Sequence, residues 1–109
     1  MKAYVLRRHG KPAVLQPTDV LVPELKHEQV RVNIECIGLN YAEIMARKGF
    51  YGWAPQMPYT LGMEAYGSIE AVGDSVSARA IGDKVIIGTQ YGCYAEKFVG
   101  HWQATAPAI

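Results

Sequence analysis

The side chains that could carry out chemistry are few, and their spacing matches no familiar catalytic motif. The histidines are His9, His27 and His101, each at a predicted turn or strand end and none within a metal-binding H-E-x-x-H. The sequence also lacks the G-x-x-x-x-G-K-[ST] loop that cradles phosphate, and it has no G-x-G-x-x-G segment opening a helix after a strand. Zinc proteolysis, nucleotide binding at such a loop and a dinucleotide-binding fold within these residues are therefore not predicted.

The two cysteines, Cys36 and Cys93, lie far apart in the sequence with no second Cys or His at ligand spacing. This excludes a four-cysteine zinc site and a C-x-x-C redox pair. A single disulfide stays open, although no other feature of the sequence indicates secretion.

Length and charge limit the class of protein further. The 109 residues suit one domain. Lys+Arg number 11 and Asp+Glu 10, and the resulting net charge of +1 argues against nucleic-acid binding and against a polybasic membrane anchor. The chain does not begin like a signal peptide, and its longest aliphatic run, 85–87, is far too short to span a membrane. We expect a reduced, cytoplasmic protein.

The elements that must position the polar side chains are mostly strands. Strands are predicted over 2–7, 29–37, 65–72, 84–87 and 91–99, with an interrupted extended stretch over 14–22 whose prolines confine it to a sheet edge or a bulge. In the clearest strand, 29–37, Val30, Val32, Ile34 and Cys36 alternate with polar residues, which predicts one buried face.

One segment changes its period and predicts a helix. Asn40 and, three residues later, Glu43 resemble a capping box, with Asn in the Ser/Thr role. Cations gather in the last turn, and Gly49 supplies a left-handed stop. Short strands with one helix of about two turns indicate a small barrel or sandwich. Composition and spacing alone leave the function of such a domain open.

Five short motifs, taken in their order along the chain, indicate a resemblance to a known family. G-L-N-Y-A-E-I-M-A-R-K-G-F-Y at 38–51 resembles a signature of the zinc-independent quinone oxidoreductases, which belong to the medium-chain dehydrogenase/reductase superfamily. P-Y-T-L-G-M-E at 58–64 is similar to the Pro-Gly-His/Met-Glu segment of that superfamily. The other motifs lie at 67–73, 82–85 and 92–96. The combination is especially similar to the vesicle amine transport protein branch.

This resemblance implies that residues 1–109 form the GroES-like N-terminal catalytic domain, a mostly β, partly open barrel with one or two short helices. In the family a Rossmann domain with the NADPH site follows, and this chain ends about where that domain would begin. We therefore expect this chain to be one half of an enzyme and to be inactive without the second domain. Its partners would be the missing nucleotide-binding domain and a small quinone or enone, and self-association to a homodimer is compatible with this reading.

The resemblance also bears on metal chemistry. Asn40 stands where the zinc-dependent dehydrogenases have a catalytic Cys, and Met63 stands where they have a His. An amide oxygen and a thioether are poor partners for Zn²⁺, so no zinc is expected. Without a Lewis acid, alcohol oxidation is disfavoured. NADPH-dependent reduction of a quinone or enone needs less help from the protein.

By resemblance, Asn40 approaches the nicotinamide ribose or amide, and Tyr41 and Glu43 belong to the same cofactor-facing helix start. Tyr51 closes over the cofactor or polarises the acceptor carbonyl, which makes it the catalytic candidate. Purely structural roles stay open: Asn40 as a helix cap, Glu43 as its reciprocal partner, Tyr51 as a rim aromatic and Glu64 as a brace. The alternative functions are a non-catalytic interaction or trafficking module and a truncated fragment without function.

Overall fold

Two antiparallel sheets and one α-helix form the architecture in the computed structural model, which describes residues 1–50 and 55–108. The elements are β1 (Lys2–Leu6), β2 (Gln16–Asp19), β3 (Gln29–Gly38), α1 (Tyr41–Lys48), β4 (Tyr59–Thr60), β5 (Glu64–Val72), β6 (Lys84–Gly88), β7 (Lys97–His101) and β8 (Thr105–Pro107). The strand orders are β2-β1-β4 and β7-β3-β5-β6-β8. Neither sheet closes on itself in the described ranges, which confirms the mostly β, partly open arrangement predicted.

The main core lies on one face of the five-stranded sheet. β3 and β5 pair antiparallel from Val30↔Val72 to Gly38↔Glu64. The buried side chains that pack there are Val30, Val32, Ala65, Ile69, Val85, Ile87, Cys93 and Phe98. Their alternation along each strand is the pattern expected of a sheet with one wet face.

The second core fixes α1 against the three-stranded sheet. It joins Leu6 of β1 and Ala46 of α1 to Tyr59, Leu61 and Tyr94. A helix of eight residues is too short to stand alone, so this packing is what holds it. None of the described helices has the length and apolar content needed to cross a lipid bilayer.

The alternation predicted for residues 29–37 holds only in the first half of β3. Val30 and Val32 are fully buried, Ile34 is half-buried and Cys36 is exposed. The pairing with β5 shifts register between Ile34 and Cys36, as a β-bulge does. Because a bulge inserts a residue, it breaks the two-residue period. The prediction that Cys36 is buried in the core was therefore wrong.

The strand predicted over 91–99 begins only at Lys97. Gly92 has a φ of 109°, which interrupts extended backbone, and the N–H groups of residues 92–94 donate to the carbonyls of residues 60–62. This stretch therefore joins the two sheets instead of extending β7. Over 14–22, β2 occupies the sheet edge that Pro17 predicted, after a 3-10 turn at Pro12–Val14.

Candidate functional site

Three segments that are distant in sequence meet at the start of α1. The N–H of Asn40 donates to Oε2 of Glu43 over 3.2 Å, and the N–H of Met63 donates to Oε1 of Glu43 over 3.0 Å. The carbonyl of Met63 accepts from the N–H of Thr89, which follows β6, over 2.9 Å. The helix start, the Gly62–Met63 turn and the end of β6 thus form one continuous wall.

Local sequence explains why α1 begins and ends where it does. Asn40 is the N-cap, with extended backbone at φ −126° and ψ 149°, and its N–H donates to the side chain of Glu43, which completes a capping box. At the other end Gly49 has a left-handed φ of 89°, and its N–H donates to the carbonyls of Met45 and Ala46 in the last turn. The predicted helix and both of its ends are confirmed.

Asn40, Tyr41 and Glu43 line the same cleft, of about 390 Å³. Its other walls are mostly apolar and comprise Leu15, Leu39, Ile44, Arg47, Leu61 and Tyr94. Tyr41 is 72% exposed, whereas Glu43 is only 5% exposed. A ligand in the cleft could therefore contact the half-buried amide of Asn40 and the exposed ring of Tyr41, whereas the Glu43 carboxylate is buried.

Tyr51, the predicted catalytic residue, lies outside the described residues. Among the described residues, Tyr59 and Tyr91 form an aromatic pair whose rings meet edge to face with centroids 5.9 Å apart. They border a separate cavity of about 580 Å³ that runs along β7. Sequence reasoning had not singled out this second cavity.

Cys93 lies beneath the Gly62–Met63 turn and is completely buried. Its N–H donates to the carbonyl of Gly62 over 3.1 Å. Burial, with smaller contributions from the charges of Glu43 and Glu64, raises the pKa of the Cys93 thiol to about 12. The thiol is therefore neutral and unreactive at physiological pH, and it serves as packing under the turn.

The side chains around this wall do not suit a zinc ion. Asn40 and Met63 offer an amide and a thioether, and Glu43 has both oxygens engaged by backbone N–H groups. Across residues 1–50 and 55–108, no three His, Cys, Asp or Glu side chains are grouped so that they could hold a metal. Glu64 is exposed and pairs across the sheet with Gly38, over which its side chain lies.

Comparison with known proteins places this geometry in a family. The model of the alcohol dehydrogenase GroES-like domain matches residues 26–107, which is most of the chain. This chain belongs to that family. The Asn40, Met63 and Gly92 segments all fall inside the matched range of the GroES-like domain.

The relatives of this GroES-like domain include quinone oxidoreductases and synaptic vesicle membrane proteins. The rat quinone oxidoreductase is 41% identical over 98 residues, covering 88% of this chain and 30% of the relative. The zebrafish synaptic vesicle membrane protein VAT-1 homolog is 46% identical over 77 residues, covering 71% of this chain and 16% of the relative. The GroES-like domain thus spans less than a third of these relatives.

Solved structures agree with this assignment. The Escherichia coli quinone oxidoreductase complexed with NADPH matches with a TM-score of 0.93 and 26% identity, over 100% of this chain and 33% of that one. The human VAT-1 homolog-like protein also gives a TM-score of 0.93, with 29% identity over 100% of this chain and 35% of that one. The resemblance to quinone oxidoreductases of the medium-chain dehydrogenase/reductase superfamily is confirmed.

Sequence reasoning missed the contact that closes the site. The hydrogen bond between the Met63 N–H and Glu43 joins residues 20 positions apart, and no helix or strand period in the sequence relates them. One signal was available: Glu43 lies among apolar residues of a short helix, where a carboxylate is buried only if it finds partners. β8 and the 3-10 turn at Trp102–Ala104 were also not predicted.

Proposed function

We propose that this chain supplies the substrate side of an NADPH-dependent, zinc-free reduction of a quinone or enone, carried out together with a nucleotide-binding domain. The observation that carries the proposal is the position of Asn40, at a fixed helix start beside an apolar cleft. Its support is membership of the family and a likeness to a quinone oxidoreductase whose structure was solved with NADPH. We expect the protein to work in the cytoplasm.

Each side chain has a proposed task. Asn40 and Tyr41 contact the nicotinamide end of NADPH, and Glu43 belongs to the same wall. Tyr51 closes over the cofactor or polarises the acceptor carbonyl. When bound, NADPH supplies the hydride, so the protein has to orient the acceptor and exclude water. Reduction of an activated acceptor suits a site whose donor set does not fit zinc.

Exposed apolar side chains surround Asn40 and support the need for a second domain. Leu39 and Tyr41 are 78% and 72% exposed, Ile44 is 42% exposed, and all three line the same cleft as Asn40. Such a cluster on a small domain marks a surface that another element covers. We assign it to contact with the nucleotide-binding domain and the cofactor that lies between the two domains.

The chain alone is expected to bind NADPH only weakly. Most of the affinity for a dinucleotide comes from a Gly-rich turn and a helix N-terminus that hold the pyrophosphate. One or two hydrogen bonds of about 1 kcal/mol do not offset an association cost of at least about 4 kcal/mol. We expect a dissociation constant above about 1 mM and no turnover of quinone.

Nuclear magnetic resonance can test this directly. When the ¹⁵N-labelled chain is titrated with millimolar NADPH, we expect shifts in residues 38–44 and 61–64. Asn40→Asp should fold normally, because both residues cap helices well. Its new carboxylate should repel the phosphate-bearing cofactor and reduce those shifts. Asn33→Asp is the matched control, since Asn33 is an exposed residue of β3 far from the cleft.

Two results would contradict the proposal. One is saturable binding of NADPH in the low micromolar range, which would mean that the cofactor site is elsewhere. The other is a set of NADPH-dependent shifts that avoids residues 38–44 or that Asn40→Asp leaves unchanged. For the zinc-free assignment, elemental analysis of the tag-free chain should find well below one zinc per chain, and about one would overturn it.

A further inference from the structure

The contacts of the Glu43 carboxylate exceed what a helix cap requires. A capping box uses one oxygen of the N3 side chain, here Oε2, which accepts from the N–H of Asn40. The second oxygen, Oε1, accepts from the N–H of Met63, in the turn between β4 and β5. Glu43 therefore joins the helix start to the turn that carries Met63.

The Glu43 carboxylate is buried, and the ion pairs among residues 1–50 and 55–108 do not include it. Arg47, one turn further along α1, donates instead to the carbonyl of Gly10 over 2.8 Å. The two backbone N–H groups and the positive end of the helix dipole are thus what compensates the buried charge. Losing the carboxylate frees both N–H groups together.

We propose that Glu43 is a positioning residue, which holds Asn40 and Met63 at a fixed separation in the cofactor-facing wall and does not itself touch the cofactor. This role rests on the proposed function. The wall continues from Met63, whose carbonyl accepts from Thr89. A change at Glu43 is therefore transmitted to Asn40 on one side and to the end of β6 on the other.

Two substitutions separate the two bonds. Glu43→Gln preserves the shape of the side chain but leaves one acceptor oxygen, so one of the two N–H groups faces an NH₂ group instead of an acceptor. Glu43→Asp keeps the charge and shortens the side chain by one methylene, which draws the carboxylate back from Met63. We expect the bond to Asn40 to survive, because Asn40 is only three residues away and the first turn of α1 can adjust to keep it. Glu35→Gln is the matched control, because it removes a carboxylate that pairs with Lys84 on the exposed face of the sheet.

Amide hydrogen exchange of the ¹⁵N-labelled chain is the first readout. In Glu43→Asp we expect the Met63 amide to exchange roughly five- to tenfold faster while the Asn40 amide stays protected. In Glu43→Gln at least one of the two amides should accelerate similarly. Glu35→Gln should change neither. Unchanged exchange of both amides in both Glu43 variants would overturn the proposal, and the Asp variant keeps it testable if the Gln variant does not fold.

The second readout is the NADPH-dependent shift of the Asn40 side-chain amide. A purely structural brace would leave this response intact, whereas a positioning residue should weaken it at least severalfold in Glu43→Gln and partly restore it in Glu43→Asp. A wild-type response that both variants retain overturns the positioning role and leaves the proposed function standing. A wild-type chain with no NADPH-dependent shift contradicts the proposed function, and this role with it.

Discussion

Gly62 lies directly against the backbone of Tyr94. A Cβ atom at Gly62 would come within 2.5 Å of the Tyr94 nitrogen, and that nitrogen donates to the carbonyl of Leu61 over 2.7 Å. Gly62 also has a φ of 113°, which L side chains rarely adopt. The turn that carries Met63 into the candidate site therefore depends on a residue without a side chain.

Gly62→Ala should consequently lower the free energy of unfolding more than an ordinary glycine substitution. Positive φ alone costs about 1–2 kcal/mol, and the collision with backbone adds to it. Gly82→Ala is the matched comparison, because Gly82 has a φ of 94° but nothing within 4 Å of its added Cβ. Urea titrations of both variants should show the larger loss for Gly62→Ala, and equal losses would contradict the close contact.

The two cysteines should differ sharply in reactivity. Cys36 is exposed, whereas burial raises the pKa of Cys93 to about 12. A thiol reagent at about pH 8 should therefore modify one thiol in the native chain and two after unfolding in guanidinium. In Cys36→Ser the native chain should not react. Rapid native labelling of that variant would show that the segment above Cys93 opens readily.

The salt bridges on the exposed face of the large sheet predict a pH dependence of stability. Glu70 accepts from Lys97 Nζ over 2.7 Å and from Arg31 Nε over 2.6 Å. Hydrogen bonds from Lys97, then Arg31, and the charges of both lower the pKa of Glu70 below its ordinary value of 4.5. Because the folded-state pKa is the lower one, the stabilisation is present above about pH 4.5 and disappears as the pH falls through the folded-state pKa.

Glu70→Gln should therefore cost about 1 kcal/mol of unfolding free energy at pH 7 and progressively less below pH 4. Denaturant titrations of wild type and variant across this range measure the difference. Glu24→Gln, which changes an exposed carboxylate outside the strands, should be nearly neutral at every pH. If the loss of unfolding free energy in Glu70→Gln does not depend on pH, the effect comes from packing and not from charge.

The apolar surface around Asn40 should make the chain self-associate weakly. Leu39→Gln combined with Ile44→Gln removes two of its exposed side chains and should shift sedimentation at high protein concentration toward the monomer. Leu21→Gln combined with Ile81→Gln removes two apolar side chains that are more exposed on average but lie elsewhere, and it should have no such effect. Equal behaviour of the two pairs would indicate non-specific association.

Much of the fold could be predicted from local pattern. Glycine-containing turn signals around residues 65–72 and 84–87 predicted β5 and β6, and the Asn40–Glu43 pair with Gly49 predicted both ends of α1. These signals depend on neighbours within a few residues, so they are visible in a linear chain. The order of the five motifs likewise indicates the family, and the match over residues 26–107 confirms it.

Tertiary structure decided what depends on partners distant in sequence. The bulge that exposes Cys36 comes from the pairing of β3 with β5, and the late start of β7 comes from hydrogen bonds between residues 92–94 and 60–62. The second bond of Glu43 belongs to the same class, because its acceptor lies on α1 and its donor in the turn before β5. Side-chain types could name the candidates for the site, but only the folded backbone brings an N–H group 20 residues away to a buried carboxylate that must be hydrogen-bonded.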